Sequence, residues 1–337
     1  KVTEATKKSY QEVLNGEFLI NPLNLNYDLI SLRIALSEIN VVVSAGYIVL
    51  KEKTNLDKNY FKYLLHRYDV AYMKLLGSGV RQTISFSHIS NSLLLLPPIE
   101  EQTAIANFLD EKTSKIDEAI AIKEKQIELL KERKQIIIQQ AVTQGLDPSV
   151  PMKDSGVEWI GKIPVHWEIK KVKHLFRLAM EQSEKNNNHE LLSVYSDIGV
   201  KPRRELEERG NRASTTDGYW FVKKGDIVVN KLLAWMGAIG LSDYDGVTSP
   251  AYDILKPKIP IEGIFYHWLF RSPQCTSELR RYSRGIMDMR LRLYFDKFGD
   301  VVVPYPNIEV QKKIVSFLAE KTAQIDQAIA LKQQQIE

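Results

Sequence analysis

The sequence has little cysteine, no long apolar run and no glycine-rich phosphate loop. Cys275 is the single cysteine among 337 residues, which excludes disulfides within the chain and zinc sites built from several thiolates. The six histidines show no metal-ligand spacing with one another or with Cys275. No apolar run approaches about 18 residues, and no P-loop or dinucleotide-binding motif occurs. We therefore expect no metal centre, and we interpret Cys275 as an inert, partly buried thiol.

A catalytic constellation is also missing from the sequence. The run NPLN at residues 21–24 is the nearest match to the Asn-Pro-Pro-aromatic motif of amino-methyltransferases, but it lacks the second proline and the aromatic residue. The equivalent run later in the chain, NKLL at residues 230–233, lacks proline altogether. No nucleophile and base stand out as a pair. These absences favour a protein that binds rather than catalyses.

The composition is that of an ordinary globular protein, with 44% hydrophobic and 26% charged residues. A chain of 337 residues is long enough for two domains with their own cores. The net charge of +4 permits nucleic-acid binding without arguing for it. We predict a cytoplasmic protein, and the start at Lys1 rather than methionine predicts a partial sequence.

One very long helical segment is present. Residues 99–144 contain no proline or glycine, whereas Pro97, Pro98 and Gly145 mark the two ends. Such a helix would be about 65–70 Å long, so it needs a partner helix. Its apolar residues repeat every eleven positions, the period of a nearly straight, slightly right-handed pair, although a generic coiled coil remains an alternative. We predict helix pairing through Ile105, Leu109, Ile116, Ile120, Ile127 and Ile138.

The helix sequence returns near the end of the chain. At an offset of 209, residues 308–337 match residues 99–128 at 18 of 30 positions. The same offset aligns Gly16 with Gly225 and Asn21 with Asn230, so the preceding domains share a skeleton. Two alike helices pack most simply antiparallel, which predicts a pseudo-twofold, dumbbell-shaped molecule. The helix-pairing residues of the second copy are Ile314, Ile325 and Ile336.

The repeat predicts four regions. These are a mixed α/β domain at 1–98, a long helix and linker at 99–153, a second domain at 154–307 and a distal helix at 308–337. Residues 154–209 have no counterpart before Lys1, and the second helix stops about four turns short of the first. We therefore expect that the first domain lacks its N-terminal part and that the distal helix is truncated. Strands are predicted at 16–21, 41–50, 93–97, 226–230, 252–256 and 301–304, and helices at 59–76, 264–271 and 275–284.

The run LLPPIEEQ at residues 95–102, the helix after it, and the runs DSGVEWIG at 154–161 and IPVHW at 163–167 resemble the specificity subunits of Type I restriction–modification systems. The resemblance covers essentially the whole chain. It implies an α+β fold in which two globular target recognition domains are joined by two long conserved helices. These helices form an antiparallel coiled coil with pseudo-twofold symmetry.

The resemblance also implies a function. Each recognition domain would read one half of a split double-stranded DNA target, and the helices would set the gap and dock two methyltransferase subunits. The chain itself would be non-catalytic and would bind no cofactor. S-adenosylmethionine would belong to the methyltransferase subunits, which methylate adenine N6. ATP and Mg would belong to the restriction (motor-nuclease) subunits of this bacterial or archaeal complex.

Basic residues are the candidates for DNA contact. Residues 201–212 and 271–292 form two basic clusters, the second with six Arg against Glu278 and Asp288, and Arg makes bidentate contacts with phosphate and guanine. Arg81 and Arg290 recur at matched positions, so we assign them to phosphate positioning, although recurrence also fits a structural salt bridge. Trp235 and Tyr219 are candidates to support a groove-facing loop. The further candidates are Lys7, Lys8, Gln82, Arg203, Arg204, Arg212, Lys231 and Arg284.

Two other functions remain open from the sequence. The chain could be the recognition portion of a larger single-chain methyltransferase and nuclease, or a coiled-coil scaffold that never touches DNA. If the chain is a DNA-specificity subunit, replacing Arg290 with Ala should weaken binding to all DNA sequences and lower the salt dependence of binding by about one unit of slope.

Overall fold

The computed structural model describes residues 10–24, 32–73, 82–196, 198–205, 216–286 and 291–337. The chain divides into two compact units, Lys1–Ala121 and Ile122–Glu337. Both units mix strands and helices, so the predicted α+β class is confirmed.

The first unit ends in the long helix. Its described elements are β1 (Tyr10–Val13), β2 (Phe18–Ile20), β3 (Leu23–Asn24), β4 (Ile34–Leu36), β5 (Val41–Ser44), β6 (Ile48–Leu50), α1 (Lys58–Ala71), β7 (Gln82–Thr83), α2 (Phe86–Ile89) and the first part of α3 (Ile99–Gln144), which continues into the second unit. Strand β2 pairs antiparallel with β4 on one side and β6 on the other. Strands β1 and β5 form a separate antiparallel pair.

The core of the first unit lies between this sheet and α1. Phe18 and Ile20 of β2 pack against Phe61 and Leu65 of α1. These positions alternate along the strand and recur with helical spacing in α1, which is why each element buries one face. The Asp57 side chain accepts a hydrogen bond from Tyr60 N and caps the start of α1.

Two strand predictions in the first unit need correction. The run at 41–50 forms two strands rather than one, because a turn at Gly46 closes with Tyr47 N donating to Ser44 O at 3.2 Å. The run at 93–97 is wrong as a strand, since these residues lie in none. The predicted helix at 59–76 is present as Lys58–Ala71, and its predicted last residues lie outside the described part of the chain.

The second unit has a larger set of elements. They are β8 (Met152–Asp154), β9 (Lys162–Pro164), β10 (Glu168–Lys171), α4 (Val172–Leu175), β11 (Phe176–Ala179), β12 (Leu192–Tyr195), β13 (Gly199–Pro202), β14 (Trp220–Val222), β15 (Ile227–Asn230), β16 (Ile239–Leu241), β17 (Gly246–Thr248), β18 (Tyr252–Pro257), α5 (Gly263–Arg271), α6 (Pro273–Tyr282), α7 (Phe295–Phe298), β19 (Val302–Tyr305) and α8 (Ile308–Gln334). The strands and helices predicted for this domain agree with these bounds within a few residues.

The centre of the second unit is a four-stranded sheet in the order β11-β18-β15-β16. Its two faces bury different cores. Ile227 and Leu255 belong to a large cluster with α5, α6 and α8, whereas the adjacent Val228 and Ile254 belong to a second cluster with β12 and β13. Because successive strand residues point to opposite faces, the continuous apolar run of β15 is the pattern of a strand buried on both sides.

The same turn opens the central strand of both units. Gly16 and Gly225 have φ of 85° and 93°, a left-handed conformation that glycine adopts without strain. Each N–H donates to a serine carbonyl, Ser37 at 2.7 Å and Ser242 at 2.8 Å. The acidic side chain that follows each glycine accepts from the backbone three residues earlier. The offset of 209 therefore reflects equivalent three-dimensional structure.

Candidate nucleic-acid interface and helix spacer

Within the second unit, α3 and α8 lie side by side and antiparallel. Lys123 Nζ donates to Gln335 Oε1 at 2.8 Å, and eleven residues further along α3 Lys134 Nζ contacts Asp326 Oδ1 at 2.7 Å. As the residue number rises on one helix, it falls on the other. The antiparallel pairing predicted from the repeat is confirmed.

The helix contacts also carry the predicted symmetry. Lys332 Nζ donates to Gln126 Oε1 at 2.6 Å. The offset of 209 converts Lys123 into Lys332 and Gln126 into Gln335, so this contact and the Lys123–Gln335 contact are copies of one another. Two copies of one contact, with the helices exchanged, define a local pseudo-twofold axis between residues 123–126 and 332–335.

The predicted pairing residues fall into three environments. Ile314 is fully buried in the core of the second unit, and Ile105 packs against the core of the first, so both helices begin as part of the domain they follow. Ile127 is buried and Ile138 packs against the large cluster. Ile116 is 58% exposed. The half-buried members are Leu109, Ile120, Ile325 and Ile336.

A repeated glutamine ties each long helix to its own domain. Gln102 Nε2 donates to Pro97 O at 2.8 Å, and its Oε1 accepts from Asp57 N at 2.9 Å. In the second unit, Gln311 makes the same pair of bonds to Pro306 O at 2.7 Å and Glu262 N at 2.9 Å. Asp57 and Glu262 are the N-cap residues of α1 and α5. Each glutamine therefore fixes the start of a long helix relative to the helix of the domain that precedes it.

Two predicted DNA-contacting arginines lie at the edge of the second domain. Arg203 and Arg204 follow β13 in a short 3-10 turn, and Arg203 N donates to Leu191 O at 2.8 Å. The Arg204 side chain is 74% exposed, and its Nη1 lies 3.2 Å from Glu190 Oε2. Such an exposed ion pair is weak and can exchange for a phosphate or a base. Arg204 is thus positioned to contact a ligand in solution.

Lys231 is held more tightly than the sequence indicated. Its Nζ donates to Pro250 O at 2.7 Å and lies 3.4 Å from Asp253 Oδ1, and its side chain is 18% exposed. Burial raises the pKa of the Asp253 carboxyl, and the neighbouring Lys231 opposes that shift. The ammonium group is therefore engaged in anchoring the loop after β15 to β18.

The cluster at 271–292 does not act as one basic surface. Arg271 is directed inward, where its guanidinium donates to the carbonyls of Tyr195, Ser196, Gly237 and Ile239. Arg284 forms a β-bridge with Arg292 and lies 3.3 Å from Asp296 Oδ2, with more than half of its side chain exposed. Arg280 lies over the ring of Trp235, whose Nε1 donates to Leu232 O. Of these groups, Arg284 fits a ligand contact best.

Six predicted contacts lie wholly or partly outside the described residues. Gln82 belongs to β7, but its side chain lies outside the described part of the chain. The same holds for all of Lys7, Lys8, Arg81, Arg212 and Arg290. Their assignment to DNA contact stays a prediction.

One basic residue of the 201–212 cluster was not among the individual DNA-contact candidates. Lys201 Nζ donates to Tyr244 Oη at 3.1 Å and lies 5.4 Å from the centre of that ring. The hydrogen bond to Tyr244 raises the Lys201 pKa, so the ammonium stays charged beside the Arg203–Glu205 turn. Its place in the run 201–204 was visible in the sequence, whereas its pairing with Tyr244 required the fold.

Two buried titratable groups of the second unit fit structural roles. Cys275 is fully buried, and burial raises the pKa of its thiol. His267 Nδ1 accepts from Leu241 N at 3.1 Å, and burial lowers the pKa of this imidazole to about 4. Among the described residues, no three His, Cys, Asp or Glu side chains gather into a possible metal site. In the same ranges, no helix has both the length and the apolar character needed to cross a membrane.

Comparison with known proteins supports this architecture. Residues 30–132 match the family model for the Type I restriction modification DNA specificity domain. The putative type I restriction enzyme MjaX specificity subunit of Methanocaldococcus jannaschii is 31% identical over 134 residues, which are 39% of this chain and 28% of that relative. The chain therefore matches less than a third of that protein's length.

Two solved structures share the fold over nearly the whole chain. The HsdS subunit from Thermoanaerobacter tengcongensis is 16% identical, with a TM-score of 0.57 over 96% of this chain and 76% of that one. A chain from a study of complex assembly and conformational transition of the type I R-M system is 14% identical, with a TM-score of 0.66 over 97% and 79%. These comparisons agree with the resemblance drawn from the sequence: residues 30–132 match the model of the Type I specificity domain, and the fold is similar to that of HsdS subunits.

Proposed function

We propose that this chain is the non-catalytic DNA sequence-specificity subunit of a Type I restriction–modification complex. Each of its two units would recognise one half-site of a bipartite double-stranded DNA target. The paired helices would set the gap between the half-sites. The proposal rests on the family match, the relative and the fold, together with one feature of the structure.

That observation is a shared frame that carries different surface residues. In both units an asparagine side chain accepts from the backbone N–H two residues later, Asn21 from Leu23 and Asn230 from Leu232, each at 3.0 Å. The two asparagines are related by the sequence offset of 209, yet the residues that follow them differ. A repeated frame with divergent loops fits two readers of two different base sequences, because phosphate contacts position a protein on DNA while base contacts specify the sequence.

The remaining subunits enter as partners. We propose that two methyltransferase subunits dock on the helices and that restriction subunits join that assembly. S-adenosylmethionine would then be bound by the methyltransferase subunits, and ATP and Mg by the restriction subunits, in the cytoplasm where the DNA lies. The local twofold relation between α3 and α8 supports a stoichiometry of two, since equivalent surfaces take equivalent partners.

DNA selection tests the proposal directly. The chain, with and without its methyltransferase subunits, is incubated with random duplex DNA, and the retained DNA is sequenced. Two conserved half-sites separated by a fixed gap are expected. Methylation by the isolated chain would favour a single-chain enzyme, and no retention even in the complex would favour a scaffold that does not touch DNA.

A double substitution assigns one half-site to one unit. With both Arg203 and Arg204 replaced by Ala, we expect altered base preference in one half-site only, with a cost of about 1–3 kcal/mol at the affected positions. Arg281→Ala is the matched control for the loss of an exposed arginine, because Arg281 lies on helix α6 rather than in the Arg203–Glu205 turn and has a comparable ion pair with Glu278 at 3.1 Å. Altered preference in both half-sites, or in neither, would contradict the assignment.

The arginines outside the described residues have their own test. Arg290→Ala should weaken binding to specific and non-specific DNA alike and lower the salt slope by about one unit. An unchanged slope would remove Arg290 from the phosphate contacts.

A further inference from the structure

Four consecutive leucines precede the long helix of the first unit, and they are open to solvent. Leu93, Leu94, Leu95 and Leu96 are 98%, 38%, 74% and 62% exposed. Single exposed apolar residues are common on protein surfaces, whereas a contiguous apolar run marks a surface that something covers. This leucine run, residues 93–96, was the segment whose predicted strand the structure lacks.

The leucine run is held in the same place as its counterpart in the second unit. The offset of 209 converts residues 93–96 into Val302–Tyr305, which is β19. Tyr60 Oη donates to Leu95 O at 3.4 Å, and Tyr266 Oη donates to the equivalent Pro304 O at 3.4 Å. Immediately afterwards, the repeated glutamines bind the carbonyls of Pro97 and Pro306. In the first unit, the leucine run therefore occupies the position that β19 occupies in the second unit.

The counterpart is covered by a strand. β19 pairs antiparallel with β10, with Lys170 opposite Val303 and Glu168 opposite Tyr305. Val303 is fully buried, and the Lys170 ammonium lies 4.6 Å from the centre of the Tyr305 ring. Trp167, just before β10, is 1% exposed within the large cluster.

The helix that follows each run shows the same difference. Ile314 and Leu318 of α8 are fully buried in the cluster that holds Ile163 and Trp167. Their equivalents in α3, Ile105 and Leu109, are only half-buried. Within the described ranges, no segment takes the place of β10 over the leucine run, which accounts for both the exposed leucines and this half-buried helix face.

Among the described residues, no strand pairs with the leucine run. The pattern Trp-Glu-apolar-Lys occurs once in the sequence, at residues 167–170, and that copy is already paired with β19. We propose that the leucine run is a strand-docking edge whose occupant is an extended polypeptide segment with the chemistry of residues 161–173, added antiparallel. The proposal goes beyond DNA recognition and stands without it.

The register shows where the docked strand is bonded. Pro304 has no N–H and cannot donate to β10. Its pair with Ile169 is therefore a non-hydrogen-bonded pair. Antiparallel pairs alternate between bonded and non-bonded positions, which makes Val303 and Tyr305 the bonded positions. By equivalence, the docked segment needs the N–H of Leu94 and not that of Leu95.

A peptide titration tests the proposal. The full chain is titrated into a fluorescein-labelled synthetic peptide with the sequence of residues 161–173, and anisotropy is measured. Saturable binding is expected. Leu94→Pro should weaken it at least about tenfold, while the matched control Leu95→Pro should leave it unchanged, because the equivalent residue is already proline. A scrambled peptide should not bind.

Three results would overturn the proposal. They are no saturation by about 1 mM peptide, equal effects of the two proline variants, or a concentration-dependent dimer in light scattering that Leu94→Pro abolishes. The last result would make a second copy of this chain the occupant. Because no DNA is present, failure here leaves the specificity assignment intact, and failure of DNA selection leaves the docking edge intact.

Discussion

The two units share a frame but fill it differently. Asn21 N donates to Arg33 O, and the equivalent Asn230 N donates to Ala238 O. The two accepting residues, Arg33 and Ala238, are both buried, yet the side chain of one is a guanidinium and that of the other is a methyl group. The repeated backbone bonds thus fix where a residue lies without dictating which residue it is. A fold with that property can change its surface and core while keeping its helices in place.

The largest difference to test is the buried charge of the first unit. Arg33 Nε lies 3.9 Å from Asp69 Oδ1, and Asp69 Oδ2 accepts from Arg33 N at 2.6 Å. Burial lowers the pKa of the Arg33 guanidinium, and Asp69 opposes that shift. Asp69→Ala should destabilise the first unit by about 3–5 kcal/mol, because it leaves a buried charge and a backbone N–H without this carboxylate. Hydrogen exchange of the α1 amides measures the effect.

The control replaces both members of that pair. With Arg33→Met and Asp69→Leu together, exchange of α1 should recover only part of the way to that of the wild type, since the apolar pair removes the desolvation cost of the guanidinium while the Arg33 N–H still lacks the Asp69 acceptor. Exchange in α5 of the second unit should change in neither variant. If Asp69→Ala leaves α1 protected, the ion pair contributes little.

The shared glutamines should produce equal losses in both units. Gln102→Leu and Gln311→Leu each remove two hydrogen bonds from a buried side chain, and each should cost about 2–3 kcal/mol through the backbone groups left unpaired. Exchange of the α1 and α5 amides, respectively, reports the loss. Gln140→Leu, on the exposed part of α3, is the matched control. Losses that differ by more than about 1 kcal/mol would break the equivalence of the two frames.

The smallest expected effect concerns the glycine turn. Gly225→Ala meets no atom within 4 Å, and Gly16→Ala meets only the flexible end of Lys58, so both substitutions report backbone strain. Each should cost about 1–2 kcal/mol, measured by denaturant unfolding. Gly46, whose φ is not positive, is the control, and Gly46→Ala should be neutral or slightly stabilising. An unchanged free energy of unfolding for Gly16→Ala or Gly225→Ala would show that the glycine turn is not part of the shared frame.

The sequence was most informative about the helices. The bounds of α3 followed from the absence of proline and glycine, and the antiparallel arrangement followed from the repeat. Both are local or symmetric properties, so no tertiary contact had to be known. The duplicated Lys123–Gln335 contact required coordinates, because the sequence does not show which residues of two antiparallel helices stand opposite one another.

Individual side chains were harder to predict. Arg271 and Arg204 both lie in basic clusters of the sequence, but the Arg271 guanidinium donates to four carbonyls and the Arg204 side chain is exposed. Lys231 was named as a DNA-contact candidate, yet its engagement with Asp253 depends on β18, which comes later in the chain. The exposed leucines were read as a strand because apolar runs usually are, while pairing depends on a partner strand.

Sequencing of DNA selected by the reconstituted complex tests the central claim most directly, with the wild-type chain compared to a variant whose α3 is shortened by eleven residues. Eleven residues preserve the apolar stripe and remove about 16 Å of helix. The account predicts the same two half-sites with a different gap. An unchanged gap, or a single uninterrupted motif, would contradict it.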